Sequence, residues 1–165
     1  MLIVKDSMVL IHLAKTSLLK SSCSCFGNVI IPEEVFRETV EEGMSRGYGD
    51  AMTISNLIKE KAIAVKKAKD AFVRKANQFN IQRGEAEAVA LYWQEKADML
   101  ATDDDNVRIK KAALGINMAG TPAIILTLHK KGLIKKEKVH EAVKTLRKIG
   151  WFSGSILDSM LMEVG

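Results

Sequence analysis

The sequence predicts an α/β protein, a mainly parallel sheet covered by helices on both faces, and two observations carry the prediction. Short apolar, strand-like runs alternate with longer segments of helical spacing along the whole chain, the pattern of βαβ units rather than of hairpins. Carboxylates also stand where two of those runs end, Asp6 after Leu2-Ile3-Val4-Lys5 and Asp103-Asp104-Asp105 after Met99-Leu100-Ala101-Thr102. Ligands of open α/β sheets gather outside the carboxyl ends of the strands, so acids placed there read as a site. The 165 residues suit one domain, 1–165, with no internal repeat, low-complexity tract or linker.

Taken in order, Leu2 to Lys5 reads as a buried strand, and Met8 to Ala14 continues into an apolar helix that ends near Ser21-Ser22, capped by Asp6 or Ser7. Asn28-Val29-Ile30-Ile31 is a second strand. Pro32, at a first helical position, opens a helix carrying Glu33, Glu34, Val35, Glu38 and Val40, which Gly43 and Gly47 stop. Ile54, Leu57 and Ile58 give helical spacing from Asp50 to Lys61, Ala62 to Val65 reads as a short strand, and a helix runs from Lys69 to Phe79. The Ala-rich segment from Gly84 to Lys96 is a helix and leads to the strand ending at Thr102. Asp105 to Leu114 is helical up to Gly115, and Ile116 to Ala119 is a strand. Thr121-Pro122 opens an apolar helix, Ala123 to Lys131, that ends at Gly132, and Lys135 to Ile149 is a basic amphipathic helix. The tail from Trp151 to Met162, with Ile156, Leu157, Met160 and Leu161, is apolar enough to be a partner surface, but reads first as a helix docked on the core.

Hydrophobic residues at 47% and charged ones at 27% are globular usage and exclude a disordered or fibrous chain. The formal net charge of +5 sums acidic clusters with two basic stretches, Lys59 to Lys75 and Lys130 to Lys148. Either stretch would attract a polyanion such as nucleic acid, although Lys-rich helices are also ordinary solvated faces. Cys23 and Cys25 are too few for a four-cysteine zinc site and too close for an unstrained disulfide, which fits free thiols in a reducing cytoplasm. No stretch has the length of a membrane span, and the start lacks the basic and apolar regions of a signal peptide, so the reading is cytoplasmic with no membrane partner.

A parallel sheet brings Asp6 and the Asp103 to Asp105 run to one edge if their strands are neighbours. Glu38, on the helix after the second strand, and Glu85 and Glu87, flanking Ala86 on an otherwise apolar helix, are the acids that can join them. A carboxylate on a core-facing helix costs several kcal/mol unless it is paired, protonated or metal-bound, although Glu85 and Glu87 also suit a helix N-terminus and the aspartates suit caps. No Gly-rich fingerprint follows the first strand, which disfavours a nucleotide cofactor. His12, His129 and His140 share no spacing with a nucleophile; His12 reads as a hydrogen-bonded core residue.

Five segments in order, Val4-Lys5-Asp6-Ser7, Pro32 to Glu38, Gly84-Glu85-Ala86-Glu87-Ala88, Ala101-Thr102-Asp103-Asp104 and Ala119-Gly120-Thr121, resemble the PIN-domain nucleases. More narrowly, the chain is similar to a small prokaryotic branch with a Gly-Glu-x-Glu-Ala helix and an Asp-Asp-x-x-x-Arg segment, here Asp103, Asp104 and Arg108. The resemblance implies a Rossmann-like three-layer α/β/α sandwich. It implies catalytic acids at Asp6, Glu38, Glu87 or Glu85, and Asp104 or Asp103, with Glu87 the first choice on the central helix. It implies Ser7 and Thr102 as hydroxyls holding carboxylates or water, and one or two Mg²⁺ or Mn²⁺ ions among Asp6, Glu87, Asp104 or Asp103, and Glu38.

The activity so implied is hydrolysis of RNA phosphodiester bonds, in a branch that often supplies the toxin of a toxin and antitoxin pair, with an antitoxin protein and a homodimer as partners. The alternative is a module that keeps the fold without catalysis and binds RNA or protein through its basic faces. A phosphatase using Asp6 as nucleophile is disfavoured because Met8 stands where that chemistry needs a second Asp.

Overall fold

The structure, a computed structural model, describes residues 1–165. Five strands, β1 (Leu2–Lys5), β2 (Asn28–Pro32), β3 (Ile63–Lys66), β4 (Met99–Ala101) and β5 (Met118–Ala119), form one sheet in the order β3-β2-β1-β4-β5. All four pairings are parallel, and Ile3 of β1 lies opposite both Val29 of β2 and Met99 of β4. The chain winds outward from β1 through β2 to β3, then returns to β1's other side for β4 and β5. The strand order therefore reverses between β1 and β4, and their carboxyl ends frame the cleft where open α/β sheets bind ligands.

The helices are α1 (Ser7–Lys15), α2 (Leu19–Phe26), α3 (Glu33–Phe36), a π-helical turn (Arg37–Glu41), α4 (Glu42–Ser45), α5 (Gly49–Lys59), α6 (Asp70–Asn77), α7 (Arg83–Glu95), α8 (Asp105–Ile109), α9 (Lys111–Leu114), α10 (Thr121–Lys130), α11 (Lys136–Ile149) and α12 (Gly154–Val164). Successive strand residues point to opposite faces, and each face has its own core. Ile3, Val29, Ile31 and Ala101 meet side chains of α1, α2, α5 and α10 to α12 in a cluster of 25 buried residues. Val4, Ile30 and Leu100 meet α6 to α9 in a second cluster of 13. The result is the three-layer sandwich expected from the sequence. Leu157 and Met160 bury α12 against the first cluster, as expected for a docked tail.

Pro32 is not a first helical residue but the last of β2 and the N-cap of α3, and β5 is Met118–Ala119 rather than Ile116 to Ala119. Three further boundaries differ from the sequence reading, each for a local reason. The first helix does not run on to Ser21-Ser22: the Thr16 hydroxyl donates to the carbonyls of His12 and Leu13 at 2.9 and 3.1 Å, Ser17 turns left-handed at φ 58°, and α2 starts afresh at Leu19. Gly43 does not stop its helix. It lies buried within α4, where an added Cβ would stand 2.8 Å from that of Ala51, so the glycine lets α4 press onto α5; Gly47, at φ 74°, ends the segment. The segment expected as one helix from Asp105 to Leu114 divides at Lys110 into α8 and α9.

Candidate active site

The backbone N–H of Asp6 continues the sheet by donating to the Ala101 carbonyl at 3.0 Å, which ties the end of β1 to the end of β4. Its carboxylate caps α1, accepting from the Val9 N–H at 3.0 Å. Asp6 is only 3% exposed. Burial pushes its carboxyl up to about 8, and the nearby charges of Asp103 and Glu85 add to the rise, while hydrogen bonds from Thr102 and Val9 oppose it. At the end of β4, Asp104 caps α8 through a 2.7 Å bond from the Val107 N–H, and the Thr102 hydroxyl accepts from the Asp104 N–H at 3.1 Å. Asp105 is exposed and paired with Arg108 at 2.5 Å.

Glu85 and Glu87 diverge. Glu85 is raised above the usual carboxylate range by burial first, then by the nearby charges of Asp104 and Glu38; Arg83 acts against the rise. Glu87 accepts from the Glu34 N–H at 3.1 Å at the start of α3, and the charges raising it are those of Glu34, Glu33 and Glu38. Positions two apart on a helix point about 200° apart, so the two carboxylates leave α7 in different directions, although both feel the charge of Glu38. Glu38 sits on the π-helical turn and accepts from the Ser7 hydroxyl. Gly84 makes room for it, because a Cβ there would stand 2.9 to 3.2 Å from the Glu38 carboxylate. The cleft thus gathers Asp6, Glu38, Glu85 and Asp104 from four different elements, with Ser7 and Thr102 as supporting hydroxyls.

The Asp103 carboxylate is engaged elsewhere. It accepts from the His12 Nδ1–H at 2.7 Å, from the Thr121 N–H at 2.7 Å and from the Thr121 hydroxyl at 2.5 Å, all buried. Gly120 leaves space for it, since a Cβ there would lie 2.9 Å from Asp103 Oδ1. His12 is fully buried, as expected of a hydrogen-bonded core histidine, and its Nε2 has no partner. This Asp103-His12-Thr121 knot pins the loop after β4 to α1 and α10. Nothing local in the sequence announces it, because its members are up to 109 positions apart.

None of the protein's ion pairs includes Asp6, Glu38, Glu85 or Asp104. No three of its His, Cys, Asp and Glu side chains stand close enough to hold a metal ion as they are. The donor set is nonetheless all carboxylate oxygen, partly buried and in no ion pair, which suits a hard divalent ion that keeps several of its waters.

An all-parallel sheet with acids converging at its switch point defines a class of α/β proteins with a carboxylate-lined cleft. A family model described as a PIN domain matches residues 2–165, and the chain belongs to that family. PIN domains are generally nucleases and typically use divalent metals, so this is a nuclease fold. Neither a curated protein nor a solved structure gives a significant match. No helix is long and apolar enough to cross a membrane.

Proposed function

We propose that the protein is a metal-dependent ribonuclease hydrolysing RNA phosphodiester bonds, with Asp6, Glu38, Glu85 and Asp104 as its acids. The observation that carries this reading is four carboxylates around one cleft, none of them in an ion pair and two of them held above their usual range. Such a cluster is costly on its own and is relieved by a divalent cation. Asp6, Asp104, Glu85 and Glu38 would hold Mg²⁺ or Mn²⁺, in part through water. When bound, the ion supplies Lewis acidity toward water and the phosphate and offsets charge on the leaving oxygen.

The chain's own contribution is placement. Val9 and Thr102 fix Asp6, Val107 fixes Asp104, and Ser7 holds Glu38, so the carboxylates need little reorganisation. Water added across the bond leaves a 5′ phosphate and a 3′ hydroxyl. Asp103 supports the loop from behind, and Glu87 caps α3. A toxin role, an antitoxin partner and a homodimer rest on the family resemblance alone.

The test is cleavage of labelled single-stranded RNA by purified protein with Mn²⁺, with EDTA, and with Asp6→Asn in Mn²⁺. Cutting that needs Mn²⁺ and is lost in the variant supports the reading. No cutting by any sample, together with no Mn²⁺ binding by calorimetry, replaces it with a binding module that keeps the fold without catalysis.

A further inference from the structure

Beside the acidic cleft lies a cavity of about 460 Å³, most of whose lining the proposed hydrolysis does not use. Thr102, Asp103 and Asp104 line it, so it adjoins the acids; Met118, Pro122, Trp151 and Phe152 give it apolar surface, and Arg108 also lines it. Gly150, at φ 78°, ends α11 in a left-handed turn that brings Trp151 over the end of β4. The indole is pinned there: its Nε1–H donates to the Asp103 carbonyl at 3.2 Å, and its ring lies 5.9 Å from that of His12, which also contacts Phe152 at 5.2 Å. A tryptophan fixed at one edge and 49% exposed is a rigid platform with its outer surface open.

We propose that this cavity receives one unpaired nucleobase of the RNA, stacked on Trp151, next to the phosphate that the acidic cleft acts on. The proposal rests on the ribonuclease reading and adds to it a contact that selects single strands. Charge decides what enters: Asp104 and Asp105 line the cavity and repel a phosphate, whereas a neutral planar ring meets apolar surface and acceptors for its amino groups. Size agrees, since the volume lies within the range of single small-molecule sites. Unpaired bases can be splayed out and stacked on aromatic side chains, and the energy gained depends little on which base it is. Arg108, whose partner Asp105 is exposed, is free to exchange that weak ion pair for the flanking phosphate.

The experiment measures, in EDTA so that no cleavage runs, the affinity of a fluorescein-labelled RNA dodecamer as a single strand and as a duplex, by anisotropy. Trp151→Ala is expected to weaken single-strand binding about tenfold or more and to leave duplex binding unchanged, with Trp151→Phe recovering most of the loss. Because Trp151 also braces the loop after β4, Ala123→Trp, which fills the cavity from its exposed side and leaves Trp151 in place, is expected to give the same selective loss. Equal single-strand affinity in wild type and Ala123→Trp, or wild-type protein that binds neither strand, overturns the stacking subsite. The ribonuclease reading is decided separately by Mn²⁺-dependent cutting with wild type and Asp6→Asn.

Discussion

Residues next to each other in the chain do different work here because the fold aims them apart. Asp103 and Asp104 leave β4 in sequence, yet one is consumed by three buried hydrogen bonds and the other caps α8 at the cleft. Asp103→Ala strands the His12 imidazole and the Thr121 groups, and urea unfolding is expected to show a loss of about 3 kcal/mol. Lys5 is the reverse case. It is fully buried under β1, hydrogen-bonded to Ser22 and 5.7 Å from the Phe26 ring, and burial pushes its amine from 10.5 down to about 8. The depressed value means that burying the charge costs stability fully below pH 8 and progressively less as pH rises toward 10.5. Lys5→Met removes that cost. Denaturant midpoints at pH 7 are expected to rise by the equivalent of about 1–3 kcal/mol, with the gain shrinking above pH 8.

At the scale of elements, the strands and the docked tail were legible in the sequence because each rests on local pattern, and the α1 cap was narrowed to Asp6 or Ser7, of which Asp6 is the cap. The choice between Glu85 and Glu87 was not. Ala86, Ala88, Val89, Ala90 and Leu91 bury α7 nearly all round, so no polar face marks which side meets the cleft. The break after α1 also escaped, since it depends on Thr16 bonding back to its own helix rather than on a glycine or proline. Gly84 had a signal, a glycine at the mouth of an Ala-rich helix, but its reason is the Glu38 carboxylate across the cleft. Gly84→Ala gains roughly 1 kcal/mol of helix preference and displaces Glu38. It is expected to leave the melting temperature within a few degrees of wild type while cutting RNA cleavage about tenfold or more.

For the whole molecule, the reversal of strand order between β1 and β4 concentrates acid at one point of a net basic protein. The folded chain holds a proton on Asp6 between about pH 4 and 8 that the unfolded chain has released, so stability falls as pH rises through that window. Melting curves of the metal-free protein are expected to drop from pH 5 to pH 8. Asp6→Asn should flatten that slope, and Mn²⁺ at pH 8 should raise the wild-type melting temperature and leave the variant's unchanged.

The central claim is that Asp6, Glu38, Glu85 and Asp104, and not Glu87, form the acid set of an RNA-cutting site. Mn²⁺-dependent cleavage of one labelled single-stranded RNA by wild type, Glu85→Gln and Glu87→Gln, run side by side, tests it most directly. The expected result is cutting by wild type, a loss of at least roughly 10- to 100-fold in Glu85→Gln, and activity within several-fold of wild type in Glu87→Gln. Activity retained in Glu85→Gln and lost in Glu87→Gln would contradict the account.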